Sequence, residues 1–182
     1  MDGFAATDPA GVVNAYATEQ GWPLRGSAVL EFDRPELNQL RDIWLEKAAG
    51  TPIPYRSDFD ARTLKPMLRN VVILEHVEDG GRWRYRIRLM GSEISRLMGE
   101  GTGRFLDECV SANTLPRWLI AYDAVMEAQV ALRFLSRYEA QRVRYLTSES
   151  FIAPMLDARG NPTLLLSCAY FQSRSTEREL FG

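Results

Sequence analysis

From Asn70 to Gly91 the chain reads NVVILEHVEDGGRWRYRIRLMG. An apolar run, Val71 to Leu74, passes through Glu75-His76-Val77 into the polar turn Glu78-Asp79-Gly80-Gly81. Beyond it Trp83, Tyr85, Ile87 and Leu89 alternate with Arg82, Arg84, Arg86 and Arg88. A period of two belongs to a strand with one buried and one wet face. Two such runs joined by a glycine-containing turn predict a β-hairpin over 70–91. Ser92 then offers an N-cap to a short helix, Glu93 to Met98.

The remaining pattern is arranged around that hairpin. Residues 1–35 hold few apolar clusters and several breakers (Pro9, Gly11, Gly21, Pro23, Gly26), which predicts loose order or a short helix near Val12 to Glu19. Ala28 to Phe32 reads as a short extended piece. Arg34-Pro35-Glu36 opens a helix, with Leu37, Leu40, Trp44 and Ala48 at helical spacing and Ile43 beside them, until Gly50. Thr51-Pro52-Ile53-Pro54 must be extended, and Asp60 can cap a short helix before Pro66. After the glycine loop 99–103 comes a helical turn, Arg104 to Cys109. Asn113-Thr114 then cap the longest helix, 113–130, whose stripe is Leu115, Trp118, Leu119, Tyr122, Val125, Met126 and Val130. Three strands follow: 131–138, 142–155 and 163–171, the last two separated by the turn 157–162. A polar tail, 173–182, closes the chain. Strands at both ends of the order with helices between predict an α+β fold: a five-stranded antiparallel sheet, helices on one face, and an additional N-terminal helix.

Composition adds exclusions. A chain of 182 residues, 46% hydrophobic, can build one core of ordinary size. Its net charge is −2, from 22 basic and 24 acidic residues, which disfavours a dedicated nucleic-acid binder. The arginine rows, Arg82 to Arg88 on one strand and Arg142 with Arg144 on another, read as a solvated face or a surface for an acidic partner. No apolar run is long enough to span a membrane, and the N-terminus shows no signal peptide. Cys109 and Cys168 read as two reduced thiols of a cytoplasmic protein, with no metal motif.

Several stretches together resemble the PAS family, in particular a subfamily of short, stand-alone bacterial PAS domains. They are Gly50-Thr51-Pro52-Ile53-Pro54-Tyr55-Arg56-Ser57-Asp58-Phe59-Asp60 after Trp44, then Leu68-Arg69-Asn70-Val71, and Tyr85-Arg86-Ile87-Arg88-Leu89-Met90-Gly91-Ser92. Gly101 to Glu108 and Pro154 to Gly160 also fit. Pro54, Arg56 and Asp58 of the Pro-x-Arg-x-Asp piece and Arg88 and Gly91 of the Arg-Leu-x-Gly piece are the motif residues. The resemblance covers about residues 36–172, leaving 1–35 as a partly flexible extension and 173–182 as a tail; Ala153-Pro154-Met155 departs from the family's Leu-Pro-Leu.

The resemblance implies a sensor or interaction module in bacterial signal transduction, with its output acting through a partner. A small ligand would sit between sheet and helices, against Ile73, Tyr85, Ile87, Leu89, Leu97, Met98, Phe105, Leu119, Tyr122, Met126, Phe151 and Tyr170. Close packing of those residues as plain core is the competing reading. Covalent flavin is disfavoured, since Gly103-Arg104-Phe105-Leu106 lacks the cysteine that photosensing PAS domains place before the arginine; Cys109 lies five residues after Arg104. Haem is disfavoured because 113–130 holds no histidine. That leaves no cofactor or a non-covalent organic ligand. An enzyme of the ketosteroid-isomerase type is the alternative, with Glu149 and the tyrosines Tyr122, Tyr145 and Tyr170 in an apolar cavity. His76, the single histidine, excludes a Ser-His-Asp site or a two-histidine metal site within one chain. The stripe of helix 36–48 predicts a homodimer through Leu40, Ile43 and Trp44; the competing reading packs Trp44 wholly inside its own subunit, anchoring the loop from Pro52 to Asp60.

Overall fold

The computed structural model describes residues 8–140 and 143–173. In chain order the elements are α1 (Pro9–Glu19), β1 (Leu24–Ser27), α2 (Pro35–Lys47), α3 (Ala61–Leu64), β2 (Val71–Asp79), β3 (Arg82–Met90), α4 (Ser92–Met98), α5 (Leu106–Cys109), α6 (Leu115–Ala128), β4 (Leu132–Ala140), β5 (Val143–Met155) and β6 (Leu164–Ser173). Single 3₁₀ turns occupy Arg56–Asp58 and Leu68–Asn70. The strands form one antiparallel sheet in the order β1-β4-β5-β6-β2-β3. The α+β class and the hairpin stand as the sequence predicts, and the sheet has six strands where five were expected.

The additional strand is β1. Its four residues, Leu-Arg-Gly-Ser, carry no alternation that could announce it. What holds it is partly a side chain: Asn14 of α1 accepts from Gly26 N (2.7 Å) and donates to Gly26 O (3.0 Å). The helix itself begins at Pro9, with Asp8 as N-cap accepting from Ala10 N. Proline at the first helical position starts a helix rather than breaking one, so α1 is longer than the sequence suggested. Its Ala10, Val13 and Ala17 are buried.

Gly80 and Gly81 both have positive φ (60° and 83°), as a two-residue hairpin turn with the right twist requires. The ladder is interrupted once. Ile73 pairs with Leu89, but Leu74 pairs with Ile87, so Arg88 is an extra residue in β3. Such a bulge reverses the side-chain parity beyond it. At α4 the N-cap is Gly91, and Ser92 is the first helical residue.

Both faces of the sheet are covered. On one, here the inner face, α1, α4, α5 and α6 pack on Val72, Leu74, Tyr85, Ile87, Leu132, Phe134, Ile152 and Leu165. On the other, the outer face, α2 lays Leu37, Leu40 and Trp44 over Ile73, Phe151, Ala153, Met155, Leu166 and Cys168. The strong stripe of α2 thus has its partner within the same chain. The tail from residue 174 on lies outside the described residues, as do Arg142 and the side chains of Arg144 and Tyr145.

Candidate functional site

The strand registers line up side chains in rows across the inner face. One row runs Leu24, Ser136, Ser148, Phe171. The next holds Gly26, Phe134, Ser150 and Ala169. A third holds Leu132, Ile152, Ser167 and Val72. Between these rows and α6 lies a cavity of about 60 Å³. The sheet gives it a floor of small hydroxyls (Ser136, Ser148, Ser150, Ser167) set among Phe134, Ile152 and Ala169. Arg117, Trp118, Ala121 and Tyr122 of α6 form its roof; Ile94 and Met98 of α4 close one end and Leu24 the other.

Three polar atoms on this wall are buried and without a hydrogen-bond partner: Ser136 Oγ, Arg117 Nε and Trp118 Nε1. A buried polar group left unpaired is costly, so each such atom needs an explanation. Elsewhere among the described residues only Glu36 Oε2, under α2, is in the same state. Arg117 makes no ion pair with any described residue; its guanidinium lies 6.0 Å from the Trp22 ring. Arg117 also borders an outer cleft of about 490 Å³ that Ser111, Asn113, Thr114 and Arg137 share.

Beside the cavity a chain of rings runs to the surface. Trp118 meets Tyr122 (6.2 Å between centroids), Tyr122 meets Tyr85 (5.5 Å), and His76 stacks on Tyr85 (4.6 Å) and contacts Trp83 (4.8 Å), which is exposed. Tyr85 donates to Asp123 Oδ1 at 2.7 Å, and burial, with that carboxylate next to it, pushes its phenol pKa well up. Burial lowers the pKa of His76 from the ordinary imidazole value, with Asp123 opposing.

Of the residues the sequence placed on a cavity wall, Met98 and Tyr122 line it. Tyr85, Ile87, Leu119 and Met126 belong to the surrounding inner core. Four are corrected to the opposite face: Ile73, Leu89, Phe151 and Tyr170 pack under α2. The bulge at Arg88 turns Leu89 over, and Phe151 and Tyr170 sit one residue out of phase with Ser150, Ile152, Ala169 and Phe171. Leu97 is exposed, and Phe105 lies on the sheet edge beneath the guanidiniums of Arg84 (3.6 Å) and Arg86 (4.9 Å). The hydroxyl floor escaped sequence reading, because hydrophobicity picks out the fully packed side of β5 and β6. The unread signal is the alternation of Ser148 and Ser150 with Glu149 and Phe151.

Glu149 is not a cavity acid. It is 7% exposed, on the outer face, where it accepts from Arg133 Nε (2.8 Å) and from the backbone N–H groups of Asp33 and Arg34 (3.1 Å each). With Glu149 and Tyr170 on one face and Tyr122 on the other, the isomerase constellation is not assembled. Leu40 and Trp44 are corrected likewise, being buried within the subunit. Trp44 donates to Pro154 O (3.0 Å) and meets Phe151 edge-on, while Ile43 is half-buried. The described residues hold no cluster of histidine, cysteine and carboxylate side chains fit for a metal.

A family model described as "PAS domain" matches residues 32–170. The chain belongs to the PAS domain family. Among solved structures it is similar to the light-state blue-light photoreceptor Aureochrome1 LOV, at 18% identity and a TM-score of 0.40, over 62% of this chain and 88% of that one. It is also similar to an RNA-binding light-oxygen-voltage receptor, at 14% identity and a TM-score of 0.45, over 93% of this chain and 46% of that one. Likenesses this distant say nothing of ligand or partner. No curated protein matches the chain.

In this PAS domain the motif residues are architectural. Pro54 O accepts from Leu156 N (2.9 Å) and Arg56 N donates to Leu156 O (2.8 Å), so the loop after α2 is stitched to the end of β5. Arg56 Nη1 donates to Phe59 O, and Asp58 accepts from Tyr55 N. Gly91 is required by close approach: a Cβ there would collide with the backbone of Leu68 and Arg69. Arg88 pairs with Glu75 at 3.4 Å. The rest of that arginine row is also met within the chain. Arg84 holds Asp79, Asp107 and Glu108, and its guanidinium keeps the Asp107 pKa below the usual carboxylate range. No described helix is long and apolar enough to cross a membrane. The PAS domain is a sensory module.

Proposed function

We propose that this PAS domain is a cytoplasmic, non-enzymatic sensor of bacterial signal transduction that holds a small organic ligand between α6 and the inner face of its sheet. Its occupancy is passed to a protein partner. The observation that supports this is the hydroxyl-floored cavity itself: a core built only for stability would fill that space with aliphatic side chains. The exposed Trp83, joined through a series of ring contacts to Trp118, gives the cavity an outlet on the surface.

The same reading makes the purified protein colourless. Cys109 does not border the cavity, burial raises its thiol pKa, and the single histidine stacks in the hairpin. A visible absorption band from haem or flavin would overturn that part. Nucleic acid is not a partner in this reading. A homodimer belongs to it, through Ile43 and the exposed Leu45 that α2 leaves outside its own core.

The test is native mass spectrometry before and after denaturation. The wild-type protein carries a small molecule that is lost on unfolding, and Ala121→Leu, which fills the roof of the cavity, does not carry it while keeping its circular dichroism. Bare wild-type protein, or an adduct unchanged in Ala121→Leu, rejects the proposal.

A further inference from the structure

The wall chemistry narrows the ligand further, resting on the reading above. Arg117 Nε–H and Trp118 Nε1–H are donors and never acceptors. Both are buried on the cavity wall without a partner, and Ser136 Oγ, on a residue 5% exposed, is a third. What satisfies them must bring acceptor oxygens. A hydrocarbon would leave all three unpaired, and a cation would be repelled by the Arg117 guanidinium, whose Nε is one of the unpaired groups. We infer that the cavity binds a short-chain carboxylate, its oxygens facing Arg117, Trp118 and Ser136 and its tail against the neighbouring apolar lining, Phe134 and Ala121.

The placement of the two ends follows from the registers. Leu24 pairs with Ser136, and Trp22, two residues before Leu24, is the ring that Arg117 approaches. Arg117 and Ser136 therefore lie toward the β1 and β4 side. Beside them Leu24, Phe134 and Ala121 offer only carbon. An inorganic phosphate, polar all round, would waste that lining. Size sets the tail: about 60 Å³ is well under the roughly 150 Å³ of a cavity that takes benzene and its six heavy atoms, so the acid is smaller than benzene, with about two or three carbon atoms. Arg117 borders the outer cleft as well.

Calorimetric titration of the full chain, after dialysis, separates the outcomes. The probes are propanoate, propan-1-ol and inorganic phosphate. Propanoate binds, and the other two are at least tenfold weaker. Arg117→Met loses propanoate binding tenfold or more with an unchanged circular dichroism spectrum. Trp118→Phe, which keeps a ring and removes one donor, loses several-fold. Propan-1-ol or phosphate binding as tightly as propanoate, full affinity in folded Arg117→Met, or no propanoate binding at all overturns the inference. Native mass spectrometry keeps this apart from the parent reading: a retained neutral or cationic molecule sinks the carboxylate and leaves the sensor, whereas a retained monocarboxylate supports both. If Arg117→Met fails to fold, the Trp118→Phe titration decides alone.

Discussion

The two faces of the one sheet are built on opposite terms. Under α2, polar atoms are few and nearly all are matched: the Trp44 indole on Pro154 O, and Glu149 on Arg133 and two backbone amides. Phe151, Leu40, Met155 and Leu166 fill the space between without exposure. Under α6 the same strands turn serines inward and leave space, and three buried polar atoms, one on β4 and two on α6, have no partner. Packing to full density fixes one structure, and an unsatisfied wall invites a second component. One layer is therefore packed for stability and the other is not, so damage on the two sides should differ in sign as well as size.

The largest expected effect is on the outer side. Glu149→Ala leaves the Arg133 guanidinium and the amides of Asp33 and Arg34 without their acceptor. Breaking a buried pair by removing one partner costs about 3–5 kcal/mol. Urea denaturation reads it, and a loss below about 1 kcal/mol would mean the pair behaves as a surface bridge. Trp44→Phe comes next: it keeps a ring against Phe151 and orphans Pro154 O, for a loss of about 1–3 kcal/mol. The smallest is Ser136→Ala on the inner side. It deletes an already unpaired hydroxyl, so stability stays within about 1 kcal/mol of wild type or rises. A clear destabilisation there would show that the two faces are alike and that Ser136 has a structural partner.

How legible this was depended on whether neighbouring residues agreed. Hairpin and α6 were plain, since each repeats one period over many residues and nothing local opposes it. Leu89 was misplaced because a bulge is one residue of register, invisible to a pattern of alternation. The cavity floor was missed for a different reason. Ser148 and Ser150 look like the wet side of β5, and Phe151 and Ala153 like the core side; both sides are in fact covered. When helices lie on both faces, hydrophobicity no longer says which one holds the cavity. β1 was illegible because a side chain of α1, not its own sequence, makes it a strand.

That last arrangement bears on aggregation. A sheet's outermost strands are templates for further strands. At the β3 end, Gly103 and Arg104 bond backbone to backbone with Ile87 and block the edge. At the β1 end the guard is an amide: Asn14 occupies the donor and acceptor of Gly26 that an incoming chain would seek. α1 is thus a stopper as well as a core element, and a chain trimmed past Asn14 would offer β1, or β4 behind it, as a seed for intermolecular sheet.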